Sequence, residues 1–201
     1  MMIRPSLQDI MHVANRKGYA IFEKDEKEYN INIWGYRSAD NRGNSFNDLR
    51  VIFWKYKGQW NIIYQDITTD PGLYWREHPM NPLGTAVLKE GQIRGGWKIG
   101  LHKGYPALVQ AKPVTVIRDA NRDNVIDLTG EEDTGYHGIN MHRSKNKGES
   151  VQVDKWSAGC QVAAEWADHE IFMHLCREAA ERFGGDDATF TYTLVNENDF
   201  L

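Results

Sequence analysis

Cys160 is the side chain in this sequence best suited to covalent chemistry. It closes the run Ser157-Ala158-Gly159-Cys160, which follows His142 after fourteen intervening residues. A thiol becomes a strong nucleophile as its thiolate, and a neighbouring imidazole is the usual way to reach that state near neutral pH. Gly159 beside the thiol lets backbone approach a substrate carbonyl closely and lets nearby N–H groups point at a developing oxyanion. Ser157 either adds a hydroxyl donor to that charge or caps the turn. Spacing alone does not decide the matter, because a cysteine beside a glycine is also a common structural feature. The second cysteine, Cys176, lies beside Leu175 and Ile171 and reads as a packing thiol.

The elements that must hold these residues are mostly strands. The first eighteen residues read as a helix capped by Ser6, with Ile10, Val13 and Ala14 at helical spacing and Gly18 as the stop. Short aromatic and β-branched runs follow, predicting strands over 29–36, 49–56, 60–68, 84–88, 92–99, 107–110 and 114–118. Lys57-Gly58-Gln59 marks a hairpin turn between two of them. Residues 41–47 read as a surface loop, and 71–82 as a longer loop with unusual aromatics. A charged stretch runs to Gly135, and then come a strand at 138–142 and a polar loop at 143–155. Residues 163–183 have a helical period, Gly184-Gly185 ends it, and 189–195 alternates like a closing strand. The expected architecture is one mainly β (α+β) domain over 1–201. It has a helix and leading strand or loop in 1–47, a core in 48–165, and a helix with closing strand in 166–201.

Composition narrows the function. A chain of 201 residues that is 41% hydrophobic and 26% charged is a globular domain with a proper core. A net charge of −4 argues against nucleic acid as partner, since neutralising phosphates needs a basic face. No apolar run approaches the roughly 18 residues of a spanning helix, so no membrane partner is expected. The opening Met1-Met2-Ile3-Arg4-Pro5-Ser6 lacks the apolar core of a signal peptide, giving the expectation of cytosolic synthesis. Seven tryptophans and nine tyrosines suit strands and a groove for an extended ligand, or plain core filling.

His142 with Ser157-Ala158-Gly159-Cys160 resembles the catalytic domain of the L,D-transpeptidases, whose signature is a histidine, a spacer, and Ser/Thr-His-Gly-Cys. Residues 49–72 resemble that family's opening hairpin and the Ser/Thr-Gly segment after it. Pro82-Leu83-Gly84-Thr85 is similar to its Thr-Pro-x-Gly segment, so the likeness covers about 48–165. The resemblance implies a β-sandwich-like fold in which His142 and Cys160 face each other across a groove. It implies that Cys160 attacks a carbonyl of a peptidoglycan stem peptide and carries the acyl group while His142 takes its proton. The carbonyl of Arg143 would orient the imidazole, and N–H groups near Gly159 and Cys160 would hold the oxyanion. No cofactor is required for this chemistry. His137-Gly138 resembles a His-Gly variant of the motif; His142 is the expected base and His137 a supporting or substrate-contacting group.

Departures from the pattern also matter. Ala158 replaces the second histidine. Gln161-Val162 replaces the usual apolar-Arg or apolar-Asn pair, leaving Arg143, Arg76 and Arg94 as candidates for a substrate carboxylate. Wall-remodelling enzymes are normally exported, whereas a phage lysis enzyme or an injected antibacterial effector needs no signal of its own. That favours hydrolysis of stem peptides over cross-linking. The competing readings are a wall- or virion-associated binding module that keeps the fold without activity, and a cysteine hydrolase for another amide.

Other patterns each have two readings. Asp119, Asn121, Asp123, Val125 and Asp127 offer oxygens at the spacing of a structural calcium loop, although Gly130 stands at its acidic twelfth position; the alternative is a polar turn between strands. Tyr74-Trp75-Arg76 forms a lid over the groove or a local anchor. Trp156 walls the cleft or packs under the turn. Lys145, Lys147 and Lys155 lower the thiol pKa, attract an anionic polymer, or are simply solvated. His169-Glu170 and His174 lack the paired spacing of a zinc helix, because Met173 stands in the needed place.

Overall fold

Ser6 starts the first helix by local hydrogen bonding. Its hydroxyl accepts from the Asp9 N–H at 3.2 Å, while the Asp9 carboxylate accepts from the Ser6 N–H at 2.9 Å. The helix, α1 (Leu7–Lys17), ends at Gly18 in the left-handed conformation, φ 70°. The computed structural model describes residues 4–24 and 28–200, so the expected helical start at Met1, Met2 and Ile3 lies outside the described residues.

Among the described residues eleven strands follow: β1 (Asn32–Arg37), β2 (Asp48–Tyr56), β3 (Gln59–Thr68), β4 (Thr85–Leu88), β5 (Gly91–His102), β6 (Tyr105–Gln110), β7 (Val114–Asp119), β8 (Glu132–Gly135), β9 (Met141–Arg143), β10 (Gln161–Ala163) and β11 (Thr189–Asn196). The described residues also form two more α-helices, α2 (Leu73–Glu77) and α3 (Trp166–Phe183). The fold is mainly β. Among its strands, β1 pairs with β2 on one side and with β11 on the other. Eight of them therefore close a barrel in the order β1-β11-β5-β6-β9-β10-β3-β2, while β4-β7-β8 make a separate sheet. Closure leaves the barrel without a free edge.

Side chains of β1 alternate between two cores, which is why the whole strand is buried. Ile33 joins Ile52, Trp97, Tyr192 and the α3 residues Phe172 and Cys176. Trp34 and Tyr36 join Val51, Phe53 and the α1 residues Ile10 and Val13. Each such large side chain contributes roughly 1.5–3 kcal/mol of burial. Cys176 is fully buried in the first core. Among the described residues, no helix is long and apolar enough to cross a membrane.

Several elements differ from expectation. Part of the aromatic loop is the helix α2, and the charged stretch contains β8, which pairs with β7. Gln161–Ala163 is β10, so α3 begins three residues later than its period suggested, with the Glu165 side chain as cap. The β5–β6 hairpin is longer than expected. It turns at Lys103-Gly104, with φ values of 49° and 87°, the two left-handed residues of a type I′ turn.

Candidate active site

Parallel pairing of β9 with β10 brings the cysteine and histidine regions together. Met141 lies opposite Gln161 and His142 opposite Val162, so Cys160 falls level with Asn140. Side chains alternate along a strand, hence Cys160, Asn140 and His142 share a face. The Asn140 N–H points at the Cys160 Sγ from 3.5 Å, and the thiol donates to the Gly138 carbonyl at 3.4 Å. Cys160 as a residue is half-buried.

The turn that presents the thiol is pinned from several directions. Ser157 is fully buried; its hydroxyl donates to the Cys160 carbonyl at 2.8 Å and accepts from the Gly159 N–H at 3.1 Å. Ser157 is therefore the cap of the turn, and the Gly159 N–H is engaged rather than open to an oxyanion. The Cys160 N–H has no partner among the described residues and remains available. Gly159 has φ 120°, and a Cβ there would sit 2.4 Å from the Ala86 carbonyl oxygen, so only glycine fits. The Gly72 N–H donates to the Ser157 carbonyl at 2.9 Å, which ties the segment after β3 to the turn. Gln161 is buried and faces the barrel. Its amide donates to the carbonyls of Thr69 and Gly159 at 3.3 Å each, and its oxygen accepts from the Tyr192 hydroxyl at 2.8 Å. The glutamine is an internal brace of the cysteine turn.

The imidazole of His142 is set in one orientation. Its Nδ1 donates to the Arg143 carbonyl at 2.8 Å, leaving Nε2 as the basic nitrogen. The Tyr105 hydroxyl donates to that same carbonyl at 3.2 Å and lies 3.3 Å from Nδ1. His102 stacks on His142 with ring centroids 3.9 Å apart and planes 8° apart. The amide nitrogen of Asn140 sits 3.1 Å from the His102 Nδ1. Burial, then the neighbouring His102, pushes the His142 pKa down to about 3. Burial pushes the Cys160 thiol up to about 11, against the opposing pull of the Asn140 N–H and Lys103. Both shifts favour thiol with neutral imidazole over a preformed thiolate, because neither charged form is well solvated.

Two cavities flank the turn. One of about 250 Å³ is lined by Ala158, Trp75, Arg118 and His137 among others. His137 is fully engaged there: Nε2 lies 3.1 Å from the Asp133 carbonyl, and Nδ1 lies 3.3 Å from the Arg118 guanidinium. The other, about 360 Å³, opens in front of His142 and is lined by His102, Lys103, Tyr105, Arg143, Lys145 and Trp156 among others. Trp156 is 38% exposed and walls this cavity. Lys145 donates to the Glu149 carbonyl at 3.1 Å, and Lys155 sits 4.1 Å from the centre of the Tyr74 ring. Tyr74 stacks on His78, and the Trp75 indole donates to the Lys155 carbonyl at 3.1 Å, so both anchor the loop that carries Lys155. Arg94 lies over Phe22.

Arg76 is not a substrate group. Its side chain is inaccessible, donates to Asp119 at 3.2 Å and to the Val125 carbonyl, and lies 3.6 Å from Asp123. The oxygens read as a calcium loop therefore converge on a guanidinium supplied by the chain. Asp127 turns instead to Thr129, accepting from its N–H and hydroxyl at 2.7 Å each, and Asn121 accepts from the Asp123 N–H at 3.3 Å. Among the described residues, no group of three or more His, Cys, Asp or Glu side chains is placed to hold a metal. His169 is fully buried, with Nε2 2.9 Å from the Pro106 carbonyl.

His102, Tyr105, Lys103 and Asn140 are the site residues that sequence reasoning missed. The Lys103-Gly104 dipeptide was the available signal, since it marks a hairpin whose tip carries three of the four. No protein-family model matches the chain, and comparison with curated proteins and with solved structures gives no match either.

Proposed function

We propose that the protein is a cysteine enzyme that cleaves or transfers peptide bonds of peptidoglycan stem peptides, with Cys160 as nucleophile and His142 as base. The observation that carries this reading is the tautomer of His142 set by the Arg143 carbonyl, with Nε2 left basic on the face that also bears Cys160. The likeness of His142 and Ser157-Ala158-Gly159-Cys160 to the L,D-transpeptidase signature supplies the substrate class, and that family's catalytic fold is part of the same proposal.

In the proposed reaction the Cys160 Sγ attacks the peptide carbonyl while its proton passes to His142 Nε2. The carbonyl oxygen gains the negative charge, which the Cys160 N–H would receive. When the C–N bond breaks, His142 returns the proton to the leaving amine, and a thioester remains on Cys160. Water then yields an acid and free thiol; an amine yields a new peptide bond. Both outcomes use the same protein groups.

The test is digestion of purified peptidoglycan with wild type and Cys160→Ala, followed by mass analysis. Shortened stems in the wild-type digest alone support a peptidase, and new cross-links a transferase. Identical digests, with protein that merely sediments with the wall, would replace the enzyme reading by the binding module.

A further inference from the structure

We propose that His102 is a positioning residue for His142: its flat face fixes the plane of the base, and the base works only while His102 is uncharged. This rests on the reading of Cys160 and His142 as the reacting pair and adds the residue that sets the acid limit of their reaction.

Asn140 links the two imidazoles to the thiol. Its side-chain oxygen accepts from the Gln110 N–H at 3.0 Å. A backbone N–H can only donate, so the oxygen faces Gln110 and the amide nitrogen faces His102, whose Nδ1 lies 3.1 Å away. The amide nitrogen is a donor in turn, so Nδ1 accepts and the proton of the His102 ring is on Nε2. The main chain of Asn140 is anchored as well. Its N–H points at the Cys160 Sγ from 3.5 Å, and its carbonyl accepts from the Gln161 N–H at 2.9 Å. A second proton on His102 would have to go to Nδ1, where it would meet the amide of Asn140 donor to donor.

His102 lies flat against His142, with centroids 3.9 Å and planes 8° apart. The hydrogen bond to the Arg143 carbonyl holds one edge of His142 but leaves the ring free to tilt about it; the stacked face removes that freedom. On taking the thiol proton His142 becomes an imidazolium. A neutral His102 accommodates that charge, whereas a protonated one would repel it face to face. The groups around the pair give a second imidazolium no support. Lys103 of the hairpin, Arg143 of β9 and Lys145 beyond it are cations, and no carboxylate lines the cavity. The Cys160 thiol, Tyr105 and, behind it, the buried His169 of α3 are neutral in the resting protein. Burial, then Lys103, pulls the His102 pKa below its ordinary value, which keeps the ring neutral under the conditions in which His142 has to act.

The experiment follows stem shortening of purified peptidoglycan against pH in wild type, His102→Ala, His102→Phe and Asn140→Asp. At about pH 8, His102→Ala should slow the rate at saturating peptidoglycan by at least about tenfold, and His102→Phe, which keeps a flat ring, should recover most of that loss. The acid limb of wild type should lie at least about one pH unit above that of His102→Phe, which has no proton to take up there. In Asn140→Asp the limb should rise by at least about one pH unit, because a carboxylate accepts from Nδ1–H and favours the imidazolium. Coincident acid limbs in wild type and His102→Phe would overturn the proposal. Equal rates in wild type and His102→Ala would do the same, as would a His102→Phe as slow as His102→Ala. Failure of the underlying reading looks different: wild type would then shorten no stems at any pH. In that event nitrogen NMR of the neutral imidazoles decides the matter. His142 should hold its Nδ1–H tautomer in wild type and His102→Phe and lose it in His102→Ala; the same tautomer in all three, or a proton on His102 Nδ1 in wild type, would overturn the proposal.

Discussion

Titrating the resting protein from about pH 5 to about pH 10 should reveal no thiolate at Cys160 until the alkaline end of the range. The pKa of His142 lies at about 3 and that of Cys160 at about 11, so moving the proton from sulfur to imidazole is uphill. At 1.36 kcal/mol per pKa unit the gap corresponds to a cost on the order of 10 kcal/mol. An ion pair at about 4 Å would regain about 4 kcal/mol. The neutral pair still wins by several kcal/mol. In the proposed reaction the proton would then leave as the sulfur–carbon bond forms, with His142 acting as general base. The assay is the near-ultraviolet absorbance of thiolate, read as wild type minus Cys160→Ala against pH. A step with its midpoint below about 7 would refute the reasoning, because it would require a stable thiolate–imidazolium pair.

Gly159→Ala should cost at least about 2 kcal/mol in urea-unfolding stability and slow Cys160 alkylation, since a Cβ 2.4 Å from the Ala86 carbonyl forces the turn to move. Arg76→Met should destabilise by roughly 3–5 kcal/mol by leaving Asp119 buried and unpaired. In wild type, whose own guanidinium occupies that loop, the thermal midpoint should be the same with calcium and with chelator; a calcium-dependent rise would contradict this placement. His169 is buried and its pKa is pushed down to about 4, chiefly by burial, while an unfolded histidine titrates near 6.5. Its contribution is therefore present above about pH 6.5 and lost as pH falls through about 4. The stability lost between about pH 7 and about pH 4 should then be smaller in His169→Gln than in wild type by roughly 2 kcal/mol, as read from urea midpoints.

Local signals carried the parts of the fold that are locally determined. Ser6 and Gly18 bound α1 because caps act within a few residues. Lys57-Gly58 marks the β2–β3 hairpin because two left-handed residues suit a two-residue turn. Barrel closure was not legible, since it depends on the parallel pairing of β1 with β11, more than 150 residues apart in sequence. At three and four residues, β10 and β8 are too short for alternation to register, and the charges of β8 disguise it further. The site divides in the same way. His142 and Cys160 stand out by residue type and spacing, whereas His102 and Tyr105 matter only because the tip of the β5–β6 hairpin folds against β9. The calcium-like pattern did identify a cluster of oxygens that needs a cation. What it lacked was Arg76, 43 residues from Asp119, which satisfies that need from within the chain.

Trapping the acyl-enzyme tests the central claim most directly. Wild-type protein mixed with a stem tetrapeptide, quenched in acid and digested, should carry the acyl part of the donor as a thioester on the peptide containing Cys160, and the adduct should fall sharply in His142→Ala. Turnover of the same tetrapeptide without any Cys160 adduct, and undiminished in Cys160→Ala, would contradict the account.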